Sequence, residues 1–71
     1  MKASTLFRWF AWNDPKFGMS IQDKDPETQG KEICERYGFD YFEIRSTYEV
    51  HGIEAGDANL LDKLNEWQEQ Q

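Results

Sequence analysis

A single cysteine, Cys34, in a chain of 71 residues removes the covalent and metal staples that domains of this size often depend on. One cysteine closes no internal disulfide. With one histidine, His51, it also falls short of the four Cys/His ligands that a structural zinc site usually takes. The fold must therefore come from an apolar core, and so short a chain buries only a modest share of its surface. Three Trp, three Tyr and five Phe are the main material for that core. Each aromatic buries roughly 150–250 Å², so a few of them go far. A chain of this length makes one domain, with no room for a second.

Order along the chain follows from periodicity and punctuation. Thr5 to Trp12 is dense in aromatics, which favour strands, and is apolar on both of its faces. Asn13-Asp14-Pro15-Lys16 reads as a turn. From Phe17 to Gln22, Phe17, Met19 and Ile21 alternate with Gly18, Ser20 and Gln22, the pattern of a strand with one buried face. Asp25-Pro26-Glu27 is a helix start, with Asp25 as cap, Pro26 in the first position and Glu27 favourable to the dipole. That helix should run to about Tyr37 and stop at Gly38, with Gly30, Ile33, Cys34 and Tyr37 facing inward. Gly30 weakens it by about 1 kcal/mol relative to Ala, which a close approach of the helix to the sheet would explain.

Asp40 to Val50 alternates again, with Phe42, Ile44, Ser46, Tyr48 and Val50 on one side and Tyr41, Glu43, Arg45, Thr47 and Glu49 on the other. His51 to Gly56 reads as a loop. Asp57 then caps a last helix bearing Leu60, Leu61, Leu64 and Trp67 on one face. The expectation is an α+β fold of order β-β-α-β-α. The first strand, apolar on both sides, takes the centre of a three-stranded sheet of order 2-1-3. The outer strands are parallel, and the helices pack mainly on one face.

No catalytic constellation stands out. Cys34 and His51 are the one Cys–His pair, and Cys34 falls on an inward stripe, where a cysteine behaves as a small hydrophobe. Glu43 and Glu49, six residues apart on a strand, would be separated by about 20 Å, too far to share a reaction centre. Arg45 between them offers charge pairing instead. Phosphate-binding and dinucleotide-binding glycine patterns are missing. Asp23, Asp25 and Glu27 alternate faintly like a calcium loop, but helix capping accounts for them better. The expectation is no enzyme, no metal and no cofactor.

Charge narrows the partner. The formal net charge is −6, which disfavours nucleic acid and anionic membrane and suits a basic protein. Leu6 to Trp12 is too short and too broken by Arg8 for a leader, although Lys2 precedes it, so a cytoplasmic protein is expected. Two surfaces are candidates for binding. One is the open side of the aromatic strand, which shows either Phe7 and Trp9 or Phe10 and Trp12; the second choice groups Arg8, Phe10 and Trp12 with Tyr41 beside them, and exposed aromatics mark interfaces. The other is an acid stripe on the last helix, Asp62, Glu66 and Glu69 at i, i+4, i+7, with Lys63 the one nearby base. In the first helix, by contrast, Lys31–Glu35 and Glu32–Arg36 should neutralise each other.

In size and charge the chain resembles the small acidic inhibitors that phages encode, anti-CRISPR proteins among them. That likeness carries no motif. It implies an inhibitor or modulator of a larger basic or nucleic-acid-binding protein, acting in the host cytoplasm. The alternatives are a single-stranded nucleic-acid protein using an aromatic sheet, and a small homodimer joined through its aromatic face.

Overall fold

The computed structural model describes residues 5–71, and these fold as five helices with no strand among them. They are α1 (Thr5–Asn13), α2 (Pro15–Ile21), α3 (Pro26–Tyr37), α4 (Tyr41–His51) and α5 (Ile53–Glu69). The expected α+β fold is therefore overturned. Each of the three expected strands lies in a helix over nearly all its length, and the sheet of order 2-1-3 does not form. No helix among the described residues is long and apolar enough to cross a membrane.

The reason is visible in the spacing. Leu6, Trp9 and Phe10 stand at i, i+3, i+4 and are all buried, so the aromatic segment forms a helix with one wet side rather than a two-faced strand. Phe7 is half-buried and Trp12 fully outside, which a strand's alternation would not produce. In the third segment, Tyr41, Ile44 and Tyr48 turn inward at i, i+3, i+7, while Phe42 and Val50 point outward. Alternation and helical spacing both fitted that segment. The caps decide: the Asp40 carboxylate accepts from the Phe42 N–H at 3.0 Å, and Gly52, at φ 96°, donates its N–H to the Tyr48 carbonyl.

The expected helix at Pro26 is present with its expected ends. The Asp25 carboxylate accepts from the Thr28 N–H at 3.0 Å, and Gly38, at φ 80°, closes the helix by donating to the Cys34 carbonyl. Gly30, Ile33 and Cys34 are buried along it. The last helix differs at its start. It begins at Ile53 rather than Asp57, so of the expected loop only Gly52 lies outside a helix, and Asp57 lies one turn inside. Leu60 and Leu64 are buried as expected, with Leu61 and Trp67 packed against them.

Two pairings organise the bundle. Glu43–Lys63 (3.0 Å), Thr47–Asn59 (3.0 Å) and Tyr48–Asp57 (2.6 Å) rise along α4 as they descend α5, so these two form an antiparallel hairpin. Trp9 donates its indole N–H to Asn65 (3.1 Å), and Gln68 donates to Asn13. These two bonds climb α1 and α5 in the same sense, so that pair runs side by side in one direction. Leu6, Trp9, Phe10, Ile21, Ile33, Cys34, Ile44, Leu60 and Leu64 form one buried cluster between the helices.

Candidate functional site

The residues expected to bind a partner separate into three environments. Phe10, expected on an open aromatic face, is 0 % exposed at the centre of the core, edge-on to Trp9 at 5.2 Å and to Phe17 at 5.5 Å. It is packing, not surface. Tyr41 is half-buried on the far side of α4, lying along Gly30 of α3. Trp12 and Arg8, one turn apart on α1, are exposed, Trp12 to 87 %. With the sheet gone, the aromatic platform considered for nucleic acid is gone as well.

Asp62, Glu66 and Glu69 are all exposed on α5, and no cation among the described residues pairs with any of them. The nearby base, Lys63, is held instead by Glu43 across the hairpin. Elsewhere four acids form ion pairs, while Asp23, Glu27, Glu35 and Glu54 have no cation partner among the described residues, and the expected Lys31–Glu35 pair does not form. Glu32 pairs with Lys24 at 2.7 Å and Asp14 with Arg36 at 2.7 Å, so the expected Glu32–Arg36 pairing within the helix is replaced by contacts to the preceding segments.

The α1–α5 pairing joins Trp12 to this stripe. On α1, Trp9 and Asn13 turn toward α5, Leu6 and Phe10 turn to the core, and Thr5, Arg8 and Trp12 fall on the opposite, outer side. On α5, Asn65 and Gln68 turn toward α1, Leu60 and Leu64 turn to the core, and Asp62, Glu66 and Glu69 fall on the outer side. For two right-handed helices running the same way, these outer sides are one surface. Trp12 follows Trp9 and precedes Asn13, the residues bonded across the seam, so it stands level with the C-terminal half of α5. Arg8 limits the acidic surface on the α1 side.

Two polar clasps escaped the sequence reading. Asp14 accepts from Arg36 (2.7 Å) and from the Tyr37 hydroxyl (2.8 Å), tying the α1–α2 junction to α3. Desolvation works against its charge, but those hydrogen bonds and the Arg36 charge prevail and hold its pKa below the usual value. Desolvation and the bond to Asp14 push Tyr37 up to about 12. The Arg36 guanidinium also lies 4.8 Å over the Phe17 ring. The second clasp is Tyr48–Asp57, where desolvation raises both pKa values, the Tyr48 bond offsetting part of the rise at Asp57. Asp14 was read as a turn residue and Asp57 as a cap; only contacts distant in sequence reveal their partners.

Cys34 is buried, and desolvation lifts its thiol to about 11, which suits an inert core residue rather than a nucleophile. Among the described residues, no group of three or more His, Cys, Asp or Glu side chains is set to hold a metal ion. No protein-family model, no curated protein and no solved structure matches the chain.

Proposed function

We propose that the chain is a protein-binding module whose docking face is the outer side of the α1–α5 pair. Its partner is a larger protein with a basic surface, and it acts there as an inhibitor or modulator in the cytoplasm, in the manner of the small acidic phage inhibitors it resembles in size and charge. One observation carries this reading. The carboxylates of Asp62, Glu66 and Glu69, without a cation partner among the described residues, share a surface with Trp12, the most exposed large apolar side chain of those residues.

The chemistry of that combination favours lysine and arginine. Carboxylates draw a basic surface in and raise the association rate. An exposed indole supplies a cation–π partner and a flat apolar anchor, and Trp is enriched among the residues that dominate binding energy. On α5 three carboxylates share one side, while ion pairs at Asp14, Glu32, Glu43 and Glu49 neutralise part of the remaining acid. A test uses the protein as bait in extracts of its source organism, beside an Asp62→Lys, Glu66→Lys double variant, with retained proteins identified by mass spectrometry. The reading requires a basic protein that the wild type retains and the variant loses. Equal retention by both baits removes the stripe from the account.

A further inference from the structure

The outer side of α4 is a second apolar surface. Phe42 and Val50 on it are exposed to 75 % and 70 %, and Ile53, just past Gly52, is exposed as well. The opposite side of α4, with Ile44 and Tyr48, packs on α3 and α5, and among the described residues nothing covers the outer one. Phe42, Ser46 and Val50 stand at i, i+4, i+8, one ridge of the kind that interdigitates in the commonest class of helix packing. Ser46, small and exposed, makes a notch between the two larger side chains. Along one flank of the ridge, the Arg45 Nε donates to Glu49 at 2.9 Å. On the other flank, Glu43 is held by Lys63 at 3.0 Å.

We propose that this face receives a second copy of the chain, with the two α4 helices antiparallel about a twofold axis at Ser46. A surface that meets its own copy must be self-complementary, and this one is. Counted from Ser46, Phe42 falls level with Val50 of the second copy, so each large side chain meets the other kind rather than itself. Ser46 meets Ser46, where two small residues let the backbones approach. A twofold axis also sets each flank against its own equivalent. Arg45 then comes within two residues, about 3 Å along the helix, of Glu49 of the second copy. The four charges alternate in one network, which is worth more than isolated surface pairs. Charge selects this occupant. Both copies carry a net −6 and repel each other through the acid stripe of α5, whereas the α4 ridge is flanked by two acids and two cations, each already paired. Glu27 of α3 shares a cleft with Arg45 and Glu49 and adds one acid without a cation partner to that flank. One helix face buries less than the roughly 1,200 Å² of standard interfaces, so the dimer is a weak one. It leaves the α1–α5 face open and does not depend on it.

The test is sedimentation equilibrium of the intact protein from about 10 μM to about 1 mM, where a monomer–dimer equilibrium is expected. A clean monomer at the highest concentration overturns the proposal. Ser46→Arg sets two like charges at the axis and should leave a monomer throughout. Phe42→Ala should weaken the dimer by about tenfold or more. Both positions are exposed, so the dilute variants should keep the wild-type circular dichroism. Dimerisation unchanged in both would mean that another face carries it, and overturns the proposal. Asp62→Lys with Glu66→Lys should dimerise at least as well as wild type; loss of the dimer there would place the interface on α5. The antiparallel register has its own test. Arg45→Glu and Glu49→Arg each set like charges across the seam, so each should self-associate about tenfold more weakly or worse. An equimolar mixture of the two should form a heterodimer, because opposite charges face each other again. Both variants remain net acidic, so bulk charge does not draw them together. A mixture that stays monomeric overturns the proposed pairing.

Discussion

Tyr48 is the side chain around which the α3–α4–α5 corner is built. A Cβ placed on Gly56 would lie 2.5 Å from the Tyr48 ring, whereas one on Gly30 would meet the ring at 3.4 Å. The two glycines therefore answer differently to the same change. Gly56→Ala should destabilise by about 1–3 kcal/mol, because overpacking against a ring held by Asp57 exceeds the helix-propensity gain. Gly30→Ala should be neutral or stabilising by up to about 1 kcal/mol. Urea unfolding of the two variants checks both signs. The close approach to a sheet expected at Gly30 is absent: a Cβ there would make only an ordinary contact with an aromatic of α4, so the glycine is not required by packing. The tighter contact, at Gly56, looked like an ordinary loop glycine because its partner ring lies eight residues upstream.

The hydroxyl end of Tyr48 has its own consequence. The Asp57 pKa is raised in the fold, so its ionised form is the less favoured one there. A carboxyl with a raised folded pKa lowers stability as pH climbs from the unfolded value through the folded one, and has no such effect below both. Asp57→Asn keeps an acceptor for the Tyr48 hydroxyl without the charge. It should be more stable than wild type at neutral pH, with the advantage vanishing below the ordinary carboxylate range. Asp57→Ala leaves the hydroxyl unpaired and should cost about 1–3 kcal/mol. Thermal unfolding across pH separates these outcomes; an advantage for Asp57→Asn that grows as pH falls would contradict the sign.

At the scale of elements, α3 and the apolar stripe of α5 were legible, and α1, α2 and α4 were not. The legible ones carried unambiguous punctuation, Asp25-Pro26 at one end and Gly38 at the other, or leucines at helical spacing only. The others carry aromatics, whose strand propensity is a matter of fit to a half-buried surface and yields to tertiary context. Residues 41–51 satisfy both periods, since Ile44 and Tyr48 belong to either. Length was the neglected signal: an eleven-residue run exceeds the usual strand, and Asp40 with Gly52 brackets it as a helix. The Asp40 cap should therefore matter. Asp40→Ala should lower stability by about 0.5–2 kcal/mol in urea unfolding while the far-UV circular dichroism of the native state stays helical. A change below a few tenths would show that α4 is fixed by packing alone.

For the molecule as a whole, the radius of gyration is 11.2 Å, close to the roughly 11 Å expected of a compact chain of this length. Within that body polar pairs such as Trp9–Asn65 and Asp14–Arg36 join helices distant in sequence, and the three acids of the α5 stripe are left without a cation partner among the described residues. The acid stripe was legible because i, i+4, i+7 spacing on a leucine-striped helix needs no tertiary knowledge. Its link to Trp12 was not, because that depends on α1 running beside α5 in the same direction. Reversing Asp62 and Glu66 to lysine takes the net charge from −6 to −2, two charges per residue, which relieves self-repulsion and should not lower the unfolding temperature. Binding should respond quite differently. The decisive measurement is the Kd of a purified basic partner for wild type, Trp12→Ala, the double reversal and their combination at fixed salt. We expect each change alone to weaken binding by about tenfold or more, near 1.4 kcal/mol, and the combination to weaken it by less than the product, as residues of one surface do. Unchanged affinity in both single changes, with the fold intact, would contradict the account.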